Sequence, residues 1–240
     1  MSTTILGARI HGVTMDEALN RIAAFIEAGS PHQVITLNAE ILYRATKEPE
    51  LMALINRADL VTPDGAGIVW AAGKLGRPVP ERVTGIDLLQ AVAQKAPEAG
   101  WKIFLYGGEP GIAEQAAVNL QKKHPGLMIA GTAHGFIPPE EQEELREQIR
   151  IAQPHILLVA LGAPRQEFWI RDNLSSLGVP VAIGVGGSFD VIAGKARRAP
   201  LWVQKAQLEW LYRLIKEPWR YKRMLALPRF MALVLRESRR

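Results

Sequence analysis

Residue types able to do chemistry sit in six short motifs of this 240-residue chain, each at or after an aliphatic or loop segment. Thr62-Pro63-Asp64-Gly65 places a carboxylate just past an apolar run. A carboxylate within reach of a hydroxyl can act as a general base. The same Pro-Asp-Gly series is a strong turn signal, since Pro presets φ and Gly opens the bend. Read alone, Asp64 is a turn or helix-capping residue. Thr36-Leu37-Asn38 ends an earlier run, with Thr36 and Asn38 two apart and so on the same side of a strand. Ligand contact and helix capping both remain open for Asn38. Glu81-Arg82 stands in the Pro-rich stretch Arg77–Thr84. The planar guanidinium of Arg82 suits a diphosphate, although spacing alone reads as an exposed arginine.

Two further turns are glycine-rich: Tyr106-Gly107-Gly108-Glu109-Pro110-Gly111 and Gly184-Val185-Gly186-Gly187-Ser188-Phe189-Asp190. Gly107, Gly108, Gly186 and Gly187 would let backbone amides approach a phosphate at a helix start, with Asp190 beside them. Neither turn completes a dinucleotide fingerprint or a P-loop. In Leu161-Gly162-Ala163-Pro164-Arg165-Gln166-Glu167, Gln166 and Glu167 either hydrogen-bond sugar hydroxyls or cap a helix. The five histidines are scattered and no Asp-x-Asp occurs, so no dedicated metal site is expected.

These motifs need elements to hold them. Strand-like runs are Gln33–Asn38, Asp59–Pro63, Lys102–Tyr106, Met128–Thr132, His155–Leu161 and Pro180–Val185. Helical patterns lie between them: Thr14–Gly29, opened by the capping-box spacing Thr14-x-x-Glu17, then Gly85–Ala96, Gly111–His124 and Pro139–Gln153. Strands separated by helices imply parallel pairing and a Rossmann-like layered α/β fold, with ligands beyond the carboxyl ends of the strands.

With 48 % hydrophobic and 22 % charged residues, the chain can bury a substantial core. It has no cysteine, which excludes disulfides and thiolate metal sites and suits a reducing cytoplasm. The first dozen residues lack a charged-then-apolar export pattern. Charge divides the chain near Gly194. Residues 195–240 hold thirteen Lys/Arg against three Asp/Glu, a net of +10, whereas residues 1–194 carry a net of −5. Trp202, Trp210 and Trp219 also fall in this last part. Cations mixed with large aromatics fit an anionic membrane surface better than nucleic acid. A span needs ~20 apolar residues, and Met224–Leu235 is broken by Pro228 and Arg229. The reading is therefore an α/β core over 1–194 and a helical, surface-lying appendage over 195–240. Within the appendage, Leu201–Lys216 reads as one amphipathic helix and Pro228 as the start of a last one. Phe230, Met231, Val234 and Leu235 are expected at the membrane interface.

Together, Thr36-Leu37-Asn38, Thr62-Pro63-Asp64-Gly65, Glu81-Arg82-x-x-Gly85-x-Asp87-Leu88, Gly162-x-Pro164-x-Gln166-Glu167 and Gly184-x-Gly186-Gly187-x-Phe189-Asp190 resemble the WecG/TagA/CpsF glycosyltransferase family from about Ile5 to the Arg197-Arg198-Ala199-Pro200 stretch. The tail resembles the membrane-targeting appendage of its TagA branch, which makes the wall teichoic acid linkage unit. The resemblance implies inverting, metal-independent transfer of N-acetylmannosamine from its UDP sugar to undecaprenyl-diphosphate-GlcNAc through a β-1,4 linkage, without a cofactor. It implies Asp64 as the base, and Thr36, Asn38, Arg82 and Gln166 as pocket residues. It also implies that Arg213, Arg220 and Arg223 close over the lipid diphosphate at the inner face of the membrane. A relative using UDP-glucose or the uronic acid donor is the alternative within enzymes. A non-catalytic nucleic-acid-binding module is the alternative outside them, disfavoured by the absence of a reader motif. A homo-oligomer is also open: removing the tail would uncover apolar surface, so a truncated body is expected to self-associate differently from the whole protein.

Overall fold

The computed structural model describes residues 2–206, 208–216 and 225–239, with Lys205 and Arg213 described by backbone only. Six parallel strands form the central sheet: β3 (His32–Leu37), β4 (Leu60–Pro63), β5 (Lys102–Gly107), β6 (Met128–Ala133), β7 (Ile156–Ala160) and β8 (Val181–Gly184), in the order β4-β3-β8-β7-β5-β6. All six coincide with the aliphatic runs read from sequence. Strands of a parallel sheet are covered on both faces and so read as continuous apolar runs.

Period-2 alternation distributes their side chains between two layers of helices. Val34, Leu60, Ile103, Leu105, Ile156, Leu158, Val181 and Ile183 face one layer, built with α1 (Met15–Ala28), α5 (Gly85–Ala99), α6 (Ile112–Lys123) and α9 (Ser188–Ile192). On the other face, Ile35, Leu37 and Val61 meet α2 (Ala39–Ala45), α3 (Pro49–Arg57) and α4 (Ala66–Lys74), while Leu157, Val159 and Ala182 meet α7 (Gln142–Ala152) and α8 (Arg165–Leu177). Thr14 caps α1 in a full capping box with Glu17, and Gly29 ends it in the left-handed region at φ 69°.

A hairpin missed in the sequence, β1 (Ser2–Ile5) and β2 (Ala8–His11), packs beside the edge strand β4. His11 Nδ1 accepts the Val61 N–H at 3.0 Å and so satisfies a donor on that edge. Burial, then the cations of Arg21 and Arg9, push the His11 imidazole down to about 4, which keeps Nδ1 free to accept.

Two expectations for the C-terminal part need correction. Leu201–Lys216 is two helices, α10 (Leu201–Lys205) and α11 (Glu209–Lys216), because the chain turns where the Leu208 N–H donates to the Val203 carbonyl at 3.0 Å. The last helix, α12 (Ala226–Glu237), starts two residues before Pro228 and packs on α2 and α4. Its Phe230 and Val234 are fully buried in the core, so they do not enter an interface; Met231 and Leu235 on the same helix are exposed. The reason is the helical period, which sets Phe230 and Val234 four apart on one face. Glu237 Oε2 accepts the Leu6 N–H at 2.9 Å and ties the helix end to the hairpin turn.

Candidate active site

At the carboxyl edge of the sheet a cleft of about 570 Å³ opens. Thr36, Asp64, Gly108, Phe136, Ala160 and Gly186 line it, standing at or just past the ends of β3, β4, β5, β6, β7 and β8 respectively, with Gln166 in the first turn of α8. A cleft of this size accommodates a nucleotide-sized ligand.

Asp64 is half-buried in its wall. Its N–H donates to the Leu37 carbonyl at 2.9 Å, which carries the β3–β4 pairing one residue past the strand end. It does not cap α4, which starts after Gly65 (φ 84°) with no side-chain cap. The carboxyl group instead turns toward the start of α5, where Oδ2 accepts the Gly85 N–H at 3.2 Å. Burial pushes Asp64 up to about 6; the Gly85 N–H and the Arg82 cation pull it down, and Glu209 and Asp87 push it further up. Such a group is ionised near neutrality yet more basic than an ordinary carboxylate, which suits a general base.

A charged network borders Asp64. Arg82 Nη1 meets Glu209 Oε2 of α11 at 2.7 Å. Arg198 holds Asp87 with both nitrogens, at 2.6 and 2.8 Å, and reaches Glu209 Oε1 from Nε at 3.3 Å. Burial alone would raise Asp87, but the hydrogen bonds from Arg198 and the Thr84 hydroxyl outweigh it and hold the carboxyl below its ordinary range. Two guanidinium groups thus converge on one carboxylate at the cleft wall, where all three side chains are about one-quarter exposed or less. Arg82 is therefore paired rather than a freely exposed arginine. Arg198 was not singled out from sequence; its signal was its place in Arg197-Arg198-Ala199-Pro200, immediately after the last recognisable motif.

The remaining residues read from sequence divide. Asn38 does both things expected of it: Oδ1 caps α2 by accepting the Ile41 N–H at 3.0 Å, and the residue lines the cleft. Thr36 lines it too, with its hydroxyl donating to the Gly184 carbonyl at 3.0 Å. Gly85 packs closely beside it, since a Cβ there would lie 3.0 Å from Thr36 Oγ1 and press on that hydroxyl. Gly108, Gly186, Gly187 and Asp190 are in the wall. Gly107 is not; it is buried, and a Cβ there would run into the backbone of Ala160 on β7, so its role is strand packing. Glu167 is also outside the wall, 1 % exposed beneath Gln166. Direct contact of Glu167 with a sugar is thereby replaced by contact with Gln166, whose Nε2 donates to Glu167 Oε1 at 2.8 Å. The Arg213 side chain, Arg220 and Arg223 lie outside the described residues.

Phe136 was missed by sequence reading, because an aromatic in the loop after β6 carries no motif; it stands on the rim, 66 % exposed. From α11, Glu209, Trp210, Tyr212 and Lys216 complete one side. Leu201, Trp202, Leu211, Ile215 and Leu225, outside the cleft wall, are exposed. Among the described residues, no helix is long and apolar enough to cross a membrane, and no group of three or more His, Cys, Asp or Glu is placed to hold a metal ion.

A parallel α/β sheet whose strand ends converge on one cleft, with a basic carboxylate and glycine turns in its wall, defines a Rossmann-like protein that works on a ligand at that edge. The chain belongs to the glycosyl transferase WecG/TagA/CpsF family, whose sequence profile matches residues 3–240, and it is a glycosyltransferase. Similar proteins include the N-acetylglucosaminyldiphosphoundecaprenol N-acetyl-beta-D-mannosaminyltransferase of Bacillus spizizenii, 35 % identical over 206 residues (86 % of this chain, 79 % of that one). The protein of that name from Bacillus subtilis is 34 % identical over 86 % of this chain and 80 % of its own. That from Staphylococcus aureus is 32 % identical over 98 % of this chain and 93 % of its own.

Proposed function

We propose that this chain transfers N-acetylmannosamine from UDP-N-acetylmannosamine to the N-acetylglucosamine of undecaprenyl-diphosphate-N-acetylglucosamine, inverting the anomeric centre to give a β-1,4 linkage, a wall teichoic acid linkage-unit step. The observation that carries the reading is the half-buried Asp64 carboxylate, lifted to about 6 and set in a cleft beside Arg82, in a family member whose similar proteins bear that activity's name. Asp64 takes the proton of the acceptor hydroxyl as its oxygen attacks the anomeric carbon. The bond from that carbon to the diphosphate oxygen breaks on the opposite face, and UDP departs with the electron pair. Negative charge then grows on the diphosphate, where preorganised cations and amides count most. Arg82 and Arg198 supply the cations, and the Gly186–Gly187 turn supplies the Gly187 amide, the Gly108 and Gly186 N–H groups being held by Ala160 and Gln166. Asp190 lies with the nucleotide, and Thr36, Asn38 and Gln166 surround the transferred sugar. The reading calls for neither metal nor cofactor.

The acceptor is lipid-linked, so the enzyme works at the inner face of the membrane. Exposed Leu201, Trp202 and Ile215, together with the net +10 of residues 195–240, support surface attachment. Each cation near an anionic surface contributes roughly 1 kcal/mol. Arg213, Arg220 and Arg223 take the lipid diphosphate in this scheme.

Calorimetry with UDP, UDP-N-acetylmannosamine and UDP-glucose, followed by transfer onto a short-chain lipid-diphosphate-GlcNAc, tests it. The expected result is productive turnover with the N-acetylmannosamine donor alone, lost by about 10²–10⁴-fold in Asp64→Asn. Productive use of UDP-glucose instead, or near-normal turnover in the variant, refutes the donor or the base respectively.

A further inference from the structure

Glu167 is the least expected group in the neighbourhood of the cleft. Its carboxyl is 1 % exposed. Oε1 accepts from Gln166 Nε2 at 2.8 Å, while Oε2 is buried without any hydrogen-bond partner. A buried carboxylate oxygen without a donor is costly. Burial pushes Glu167 upward against the weaker pulls of Gln166 and of its own backbone N–H.

The surroundings are shaped to admit this pair. Gly184, at the end of β8, has no room for a side chain: a Cβ would lie 2.7 Å from Gln166 Nε2 and 3.2 Å from Glu167 Oε1. The backbone of Glu167 is held from β3, where Gln33 Nε2 donates to its carbonyl at 3.0 Å. On the other side of Gln166, Oε1 accepts the Gly186 N–H at 3.0 Å. A primary amide with an acceptor at its nitrogen and a donor at its oxygen has one orientation, because turning it over sets donor against donor at Gly186. Gly186 sits at φ 53° in the turn that leads into α9 and lines the cleft. The contacts therefore run in series from Glu167 to Gln166 to the Gly186–Gly187 turn.

We propose that Glu167 is a positioning residue that fixes the amide of Gln166 and, through it, the Gly186–Gly187 turn that receives the donor nucleotide. The turn's part in nucleotide binding rests on the function proposed above; the mechanical coupling does not.

The test compares Glu167→Gln, Glu167→Met, Gln166→Ala and the Gln166→Ala/Glu167→Met double variant in the full chain. UDP affinity, donor KM and kcat are measured together with hydrogen exchange at the Gly186 N–H. Glu167→Gln keeps an acceptor for Gln166 without a charge, and stays within about twofold of wild type. Glu167→Met keeps the volume but removes the acceptor; loss of one buried hydrogen bond weakens UDP by about tenfold, raises donor KM, and speeds exchange at Gly186. The double variant is no worse than Gln166→Ala alone, because the two residues act in one chain. Glu167→Gln as damaging as Glu167→Met, additive losses in the double variant, or unchanged exchange at Gly186 would each overturn the proposal. If wild type fails to bind UDP, the functional reading falls while the exchange comparison still decides the coupling. Should Glu167→Met not fold, Glu167→Asp, shorter by one methylene, makes the same comparison.

Discussion

Asp64→Asn should stabilise the protein while abolishing transfer. The folded chain raises this carboxyl from 3.8 to about 6, chiefly through burial. At about 1.4 kcal/mol per pKa unit, holding it ionised costs the native state about 3 kcal/mol above the folded pKa. The sign follows from proton linkage: between the two values the folded chain binds more protons than the unfolded one, so stability falls as pH rises through that window. Asn removes the charge but still accepts the Gly85 N–H through its amide oxygen. The raised value is already net of the pull of Gly85 and Arg82, so the gain is about 3 kcal/mol at neutral pH. For a domain of this size that corresponds to roughly 6–12 °C in Tm. Below the unfolded carboxyl's pKa both forms are neutral and the gain disappears. Thermal melts of wild type and Asp64→Asn at neutral and strongly acid pH, run beside the transfer assay, measure all three quantities. A variant that melts lower at neutral pH, or that gains equally at both, would refute the claim that Asp64 is a costly buried charge.

The acid limb of kcat/KM should have its midpoint near pH 6, the value to which Asp64 is raised. Because Arg82 lowers that value and Glu209 raises it, Arg82→Gln should move the limb up and Glu209→Gln down; a limb indifferent to both would dissociate it from Asp64. Glu209→Gln should also release Arg82 from its 2.7 Å partner and tighten UDP about two- to tenfold by calorimetry, whereas weaker binding would mean that Glu209 supports the site. Phe230→Ala should cost about 3–5 kcal/mol in denaturant unfolding, against about 0.5 kcal/mol or less for exposed Met231→Ala; similar values for both would contradict the packing of α12. Leu201→Ser with Trp202→Ser should lower co-sedimentation with anionic vesicles and leave UDP affinity alone, and unchanged co-sedimentation would remove these side chains from the membrane contact.

Much of this architecture can be read from residue order, and the exceptions have physical causes. The six sheet strands announce themselves because both faces are covered, so runs such as Ile156–Ala160 are aliphatic throughout. The hairpin does not, since its four-residue strands turn at Leu6-Gly7, with Leu6 at φ 49°, a residue that favours no turn type. Asp64 was ambiguous alone because a Pro-Asp-Gly turn and a cleft carboxylate look identical until the neighbour that the carboxyl faces is known. That neighbour, Gly85, lies 21 residues on. Glu167 and Gly107 looked like ligand contacts because spacing gives position along an element but not depth beneath a surface. The same limit misplaced Phe230 and Val234: an amphipathic helix has an apolar side whether lipid or protein covers it.

The anchoring of α12 changes what can be learned by shortening this protein. The chain leaves the core after the buried Ala199 and Val203, contributes Glu209 to the cleft, and is gripped again at Phe230, Val234 and Glu237. It is a strap fastened at both ends, not a streamer. Cutting at Gly194 would uncap the groove between α2 and α4, free the Leu6 amide and remove Glu209 from Arg82 and Arg198 from Asp87 all at once. A truncated protein that loses transfer would thus report a damaged body as readily as a lost membrane contact, and single exchanges along the strap are the way to separate them.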